Sequence, residues 1–386
     1  MKQGNSEIDV FGELPWFDAD VVRRARVVVA GAGALGNEVL KNLALFGIGH
    51  IFIVDPDIVE KGNLSRSILF RQSDAEKGVP KVEAVAKMIR EINPDVDVEY
   101  VRGRLASDVG LSVYRNSDVA VGCLDNRLAR LQLNRICMRA GIPWIDGGIE
   151  DMTGSVKVFK PGLNCYECQL SDADRNLITA RLSCSDIAKR NIASGHVPTT
   201  PVIASVIGAV QAQEALKIIH KNKNFDDLCG KIFYYDGLSI ETGVFEMRTF
   251  SDECPSHEKW DDIIIIKELK TNATVKHALD ILKHALNTSF AEINLRNDKF
   301  VDKIISRENG KIFTPMLPES KIPDYIDDIP ELRIQPQNSL NQNVFENIND
   351  DFPYKELTLK EIGIPYNDII QVTTDKGPAY VAIDNN

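Results

Sequence analysis

The chain has 386 residues, with 45 basic against 56 acidic side chains, 44% hydrophobic residues and seven cysteines. That length suggests two or three domains, and the composition is that of an ordinary globular protein, not a disordered one. The net charge of −11 argues against nucleic acid or an anionic membrane as partner, no apolar run approaches the roughly 20 residues that span a bilayer, and MKQGNSEIDV lacks the basic and apolar parts of a secretory signal. The cysteines are therefore read for a reducing cytoplasm, where clustered thiols indicate metal or catalysis rather than disulfides. Seven is odd, so at least one thiol is left unpaired.

In chain order, RVVVA (26–30) reads as a buried strand followed by a helix over Asn37–Leu45. HIFIVD (50–55) is the next strand, and Lys81–Glu91 is an amphipathic helix with Val82, Val85, Ala86 and Ile89 on one face. VDVEYVRG (96–103), VAVGCL (119–124) and IPWIDGG (142–148) follow, with a helix over Arg127–Ala140 between the last two. This alternation predicts a doubly wound, Rossmann-like, mostly parallel α/β sheet. SVKVFK, KIFYYDGL and GVFEMRTF predict antiparallel additions near 155–160 and 231–250. A polar stretch (Ser171–Ser194) lies between them, ahead of a buried small-residue helix over Val202–Ile219. After about Asp252, DDIIIIKEL, VKHALDILKHAL, FAEINL, KIFTPML and IIQVTTDKGPAYVAI read as a small α+β unit, with Gln335–Asp351 as a loop inside it.

GAGALG (31–36) directly follows the first strand and opens a helix, placing Gly31, Gly33 and Gly36 at GxGxxG spacing. Glycine lets backbone approach a phosphate or ribose closely, and a helix N-terminus favours negative charge. Asp55 ends the second strand, where a carboxylate can accept hydrogen bonds from ribose hydroxyls. On these residues alone a nicotinamide dehydrogenase is a serious reading. The other strand ends point elsewhere: Asn63 and Arg66 in NLSR, Lys81 in GVPK, and Asp125–Asn126 after VAVGCL. An amide, two cations and a carboxylate suit a nucleoside triphosphate with magnesium, where cations meet phosphate oxygens and the carboxylate holds the metal. Taken singly, Lys81 reads as a solvated helix-start lysine and Asp125 as a helix N-cap.

VVVAGAGALGNEVLKNLALFGIGHIFIVDPDIVEKGNLSRSILF, with GVPKVEAV and CLDNRLARLQLNRIC, resembles the ThiF/MoeB-type family of ubiquitin-like-protein activating enzymes over roughly residues 20–250. The resemblance implies ATP- and magnesium-dependent adenylation of the C-terminal glycine of a ubiquitin-like or sulfur-carrier protein. It further implies that Asp55 contacts the ribose, that Asn63, Arg66 and Lys81 contact the phosphates, that Asp125 binds magnesium, and that Gly31, Gly33, Gly36, Asp57 and Asn126 complete the nucleotide site. Two departures stand out. Ser67 follows the NLSR arginine where the family commonly has glutamine, and FGELPWFDADVVRRARV lacks the family's arginine segment that reaches a neighbouring subunit's ATP, Arg23 and Arg24 being poor substitutes by position.

Cys165 and Cys168 form CxxC, and Cys254 with His257 forms CPSH. Two such pairs from distant segments can make a tetrahedral zinc site, and the resembling family often carries paired CxxC at these two points. Cys184 lies in ARLSCSDIAKRNIASGHVPTT. In the resembling enzymes a cysteine in this crossover region takes the acyl group as a thioester, chemistry that needs an exposed, partly ionised thiol. Arg181, Lys189, Arg190 and His196 are near it in sequence. Cys123 and Cys137 read as core, and Cys229 as the alternative nucleophile. His50, His220, His277 and His284 read as helix-end or surface histidines.

The final segment resembles the ubiquitin-fold (β-grasp) domain of activating enzymes that work with a conjugating enzyme, carried by VKHALDILKHAL and ELTLKEIGIPYNDIIQVTTDKGPAYVAI. A rhodanese-like sulfurtransferase is the competing reading, but no cysteine follows Cys254. The expected layout is an adenylation domain over 1–258 and a β-grasp domain over 259–386, working as a cytoplasmic homodimer on a ubiquitin-like protein and handing it to a conjugating enzyme docked on the C-terminal domain. A sulfur-carrier adenylyltransferase for thiamine or molybdopterin biosynthesis is the alternative. A silent scaffold subunit is a third, against which Arg66, Lys81 and Asp125 argue.

Overall fold

The computed structural model describes residues 10–171, 173–174, 199–221, 225–248, 250–251, 253–295, 298–333 and 340–383. The apolar runs become strands β1 (Arg26–Ala30), β2 (His50–Val54), β3 (Asp97–Val101), β4 (Val119–Gly122) and β5 (Trp144–Glu150). They lie in the order β3-β2-β1-β4-β5, all parallel. Three antiparallel strands extend the sheet beyond β5: β6 (Thr153–Phe159), β7 (Lys231–Asp236) and β8 (Glu241–Glu246). Strands buried on both faces need apolar residues at successive positions, and β1 shows why. Val27 and Val29 enter one core cluster while Val28 and Ala30 enter the other.

The helices are α1 (Ala19–Arg24), α2 (Ala34–Phe46), α3 (Gln72–Lys77), α4 (Lys81–Ile92), α5 (Leu111–Arg115), α6 (Arg127–Ala140), α7 (Tyr166–Gln169) and α8 (Pro201–His220). One face of the sheet packs Val39, Leu43, Val85, Ile89, Ile207 and Leu216 from α2, α4 and α8. The opposite face packs Leu111, Tyr114, Leu133 and Cys137 from α5 and α6. The helices stop where the sequence supplies left-handed glycines, Gly47 after α2 and Gly141 after α6. Helix α8 has 20 residues and contains an 18-residue window of mean hydropathy 1.4, so by length and composition alone it is long and apolar enough to cross a membrane. This corrects the expectation that no segment approaches that length. Ile203, Ala204, Ile207, Ala212 and Ala215 are apolar because they bury against the sheet.

The remaining strands are β9 (Ile264–Ile266), β10 (Ala291–Asn294), β11 (Phe300–Ser306), β12 (Ile312–Phe313), β13 (Leu317–Pro318), β14 (Leu340–Phe345), β15 (Asn347–Ile348), β16 (Ile369–Thr374) and β17 (Gly377–Ile383). A five-stranded sheet runs β15-β10-β16-β17-β9, antiparallel except for β17 beside β9. Helix α9 (Val275–Ala285) buries Val275, Ala278, Leu279 and Leu282 in its core. Against the strand pair, helix and further strands that a β-grasp needs, the described residues of this sheet give one strand before α9 and four after it. A smaller sheet pairs β11 with β12, β13 and β14 and packs α10 (Ile322–Asp328) and α11 (Pro330–Arg333).

Two sequence expectations are corrected here. The loop over Gln335–Asp351 contains β14 and β15. LNQNVF pairs antiparallel with β11, across a register shift between Val301 and Lys303, with its Asn and Gln side chains exposed, so its polar composition marks a solvent-facing strand. The strand-like KIFTPML gives only the two short pieces β12 and β13. The C-terminal sheet touches the α5–α6 face: Trp260 and Tyr380 stack with centroids 4.6 Å apart, and the Leu111 N–H donates to Asp368 at 2.8 Å.

Candidate functional site

The chain leaves β1 at the point where the strand order reverses, between β2 and β4, and this is where doubly wound sheets bind ligands. Gly31 has φ +99°, and a Cβ on it would lie 2.3 Å from the Cys123 carbonyl oxygen. A Cβ on Gly36 would lie 2.0 Å from the Gly31 oxygen. Both glycines are therefore demanded by the fold itself. Gly33 differs: at φ −75° it precedes α2, and a Cβ there meets nothing within 4 Å. The loop thus keeps open space beside its middle glycine, at a helix N-terminus.

Asp55 stands just past β2, buried, with each oxygen fixed by a backbone donor: Ala32 N–H to Oδ2 at 2.7 Å and Asp57 N–H to Oδ1 at 2.9 Å. Burial pushes its carboxyl up, with Lys81 and these donors acting against it. Lys81, at the start of α4, donates to Asp57 at 2.8 Å. Burial would lower its ammonium, but Asp55, Asp57 and Asp125 together hold it above the ordinary range. The structure therefore brings together the glycine loop, Asp55, Asp57, Lys81 and Asp125.

Other site residues are committed locally. Asn63 accepts the Glu60 N–H at 2.9 Å, and Arg66 donates to the Gly62 carbonyl at 2.7 Å. Asn126, not Asp125, caps α6: its Oδ1 accepts the Ala129 N–H at 2.8 Å while its amide donates to the exposed Asp125 at 3.0 Å. Ser67 is buried, and among the described residues its hydroxyl has no partner. Arg23 lies on α1, 3.5 Å from Asp20.

Three residues escaped the sequence reading. Asn37, fully buried in α2, donates to the Ala32 and Gly33 carbonyls at 2.8 and 3.0 Å and accepts the Leu69 N–H at 2.8 Å. It ties the glycine loop to the segment after NLSR, and an amide inside an apolar helix was the signal for it. Arg130 donates to the Leu124 carbonyl at 2.8 Å behind Asp125 and lies 3.1 Å from buried Asp146. The acid in IPWIDGG marked that pair.

At the Cys/His corner, the ligand atoms of Cys165, Cys168, Cys254 and His257 lie within 4.8 Å of one another. Cys165 Sγ is 3.7 Å from Cys168 Sγ and 3.6 Å from Cys254 Sγ, and His257 Nε2 is 3.4 Å from Cys168 Sγ. Disulfide sulfurs sit near 2.05 Å, whereas a tetrahedron with Zn–S of about 2.3 Å has edges of about 3.8 Å. The donor set fits zinc. Glu167 braces the corner, taking Arg135 at 2.9 and 3.1 Å and the Ser256 hydroxyl from the second turn.

Cys137 is buried in the core and Cys123 is half-buried beneath the glycine loop. Cys229 is also half-buried, and burial together with Asp227 pushes its thiol up to about 11, leaving little thiolate at neutral pH. Cys184, with Arg181, Lys189, Arg190 and His196, lies outside the described residues. His220 has its tautomer fixed: Nε2 accepts the Asp18 N–H at 3.0 Å, so Nδ1 donates to the Leu216 carbonyl at 2.7 Å.

Residues 8–256 match the ThiF family. The SAMP-activating enzyme E1 of Haloferax volcanii is 33% identical over 231 residues, 60% of this chain and 79% of that protein. The molybdopterin-synthase adenylyltransferase of Salmonella typhimurium is 33% identical over 225 residues, 58% of this chain and 83% of that protein. The solved structure of E. coli MccB with ATP is similar with a TM-score of 0.50 at 25% identity, covering 62% of this chain and 68% of that one.

Proposed function

The chain belongs to the ThiF family, and we propose that it is an ATP-dependent activating enzyme for a ubiquitin-like protein. The observation that carries this reading is the gathering of Asp55, Lys81 and Asp125 around the glycine loop at the carboxyl ends of β1, β2 and β4. The two oxygens of Asp55, each already oriented by one backbone donor, keep lone pairs for the ribose hydroxyls. Lys81 rests on Asp57 and can turn to the phosphates, and the open side of Gly33 lets backbone approach them. Arg66 and Asn63 add a cation and an amide on the phosphate side. Asp125, held by Asn126, would hold magnesium, which neutralises phosphate charge when bound. The partner's C-terminal glycine carboxylate oxygen attacks the α-phosphorus, the bond to the β-phosphate oxygen breaks, and pyrophosphate leaves.

The Cys184 thiolate then attacks the acyl carbon of the adenylate, forming a thioester and expelling AMP. A homodimeric, cytoplasmic enzyme with an adenylation domain over 1–258 passes that thioester to a conjugating enzyme docked on a β-grasp domain over 259–386. Cys165, Cys168, Cys254 and His257 would hold a structural zinc, a closed four-ligand site that staples two distant turns. The 33% identity to the Salmonella adenylyltransferase favours a second reading, a sulfur-carrier adenylyltransferase whose product becomes a thiocarboxylate. Capture of the ATP-dependent adduct with mass spectrometry of the attached protein separates the two. A thiol-reducible adduct lost in Cys184→Ala supports the first reading, and an adenylate with no adduct on any cysteine supports the second.

A further inference from the structure

A turn from the C-terminal segment grips the exit of β3, which lies beside the ribose-side aspartate. The Gly103 N–H donates to the Asp55 carbonyl at 3.3 Å, and the Asp55 N–H donates to the Val101 carbonyl at 3.4 Å, so the exit from β3 lies directly against Asp55. The conformation of that exit depends on Asp108. Its Oδ2 accepts the Arg104 N–H at 2.8 Å, its own N–H donates to the Arg104 carbonyl at 3.0 Å, and a Cβ on Gly103 would lie 2.6 Å from the Asp108 Cβ. The other oxygen of Asp108 accepts Lys321 Nζ at 2.8 Å, across more than two hundred residues of chain. The Arg104 guanidinium in turn donates to the Ser320 carbonyl.

The gripping turn is itself anchored. Buried Asp298 accepts both the N–H of Ser320, at 2.7 Å, and its hydroxyl, and the Glu319 N–H donates to the Lys299 carbonyl at 2.7 Å. We propose that Lys321 is a positioning residue for nucleotide binding: through Asp108 it fixes the β3 exit against Asp55, so that the C-terminal segment and the nucleotide site are coupled. Coupling of binding free energies is reciprocal, so a macromolecule that displaces the Ser320–Lys321 turn weakens nucleotide binding, and bound nucleotide resists that displacement. This rests on the reading of Asp55 as a nucleotide contact.

The test uses the full chain, with ATP–magnesium titrated by calorimetry and amide hydrogen exchange read at Gly103 without nucleotide. Lys321 and Asp108 are partly exposed, so Lys321→Ala is expected to weaken ATP–magnesium about threefold to fivefold with the melting temperature little changed. Gly103 exchange should quicken, and Lys321→Arg should restore both. Asp108→Asn should act in the same direction. If Lys321→Ala binds ATP and protects Gly103 like wild type, while Asp55→Ala loses ATP, the coupling is wrong and the site reading stands. If wild type binds no ATP, the site reading and the coupling fall together, whatever Gly103 does.

Discussion

At the carboxyl end of the parallel sheet, position is set by backbone. The Gly31 and Gly36 Cα atoms are pressed onto carbonyl oxygens, and Asp55 is aimed by two N–H groups. At the Cys/His corner, on the α5–α6 face, position is set by side chains brought from far apart: three sulfurs, an imidazole and the Arg135–Glu167–Ser256 brace. The first arrangement leaves an open surface for a ligand that comes and goes. The second would be a closed cross-link once it holds a metal. The contrast teaches that a binding site can be built almost without side-chain freedom, whereas a structural staple depends on side chains and is removable.

The largest expected effect tests the backbone half of that contrast. Gly36→Ala drives a Cβ into the Gly31 carbonyl and should destabilise the chain by more than about 4 kcal/mol, read as loss of soluble protein or of a cooperative melt. Normal stability would show that the loop gives way easily. Next, Cys254→Ser or chelation should release about one zinc per chain and cost about 4 kcal/mol, while residual folded protein still binds ATP. Equal loss of both properties would erase the distinction between staple and site.

A smaller effect tests the contact beside the corner. Burial pushes Asp368 up to about 6, against the Leu111 and Ile369 N–H groups and Arg139. A folded value above the ordinary 3.8 means that its contribution to stability is full below about pH 4 and is lost as pH rises through 6. Relative to Asp368→Asn, wild type should therefore lose about 2 kcal/mol between pH 4.5 and 7 in urea unfolding, and parallel pH profiles would contradict this. The smallest effect on stability belongs to Gly33→Ala, within about 0.5 kcal/mol of wild type, yet ATP affinity should fall about tenfold, or 1.4 kcal/mol. Unchanged affinity would mean that the open space beside Gly33 is not where the nucleotide lies.

The central strands β1 and β4 were readable in the amino-acid sequence because burial on both faces forces unbroken apolar runs, and the glycine spacing with Asp55 and Asp125 was readable because each follows a strand, whereas Lys81 opens α4. The Cys165–Cys168–Cys254–His257 cluster, which could hold a metal, was readable from two short pairs, although only the fold could bring them together. Asn37 and Asp146 were missed because each is a polar residue buried inside a mostly apolar element, where periodicity counts only the neighbours, and Arg130 because it is one of four arginines on α6. β14 was missed because a strand that exposes Asn and Gln has the composition of a loop. The Lys321–Asp108 bridge had no local signal, since its partners are long-range in the chain.

Adenylation of a protein C-terminus at the glycine loop is read out by ATP–pyrophosphate isotope exchange. The exchange is expected to depend on magnesium, to require a ubiquitin-like protein with a free C-terminal glycine, to fall at least about a hundredfold in Lys81→Ala, and to persist in Cys184→Ala. Exchange without any such protein, or undiminished exchange in Lys81→Ala, would contradict it.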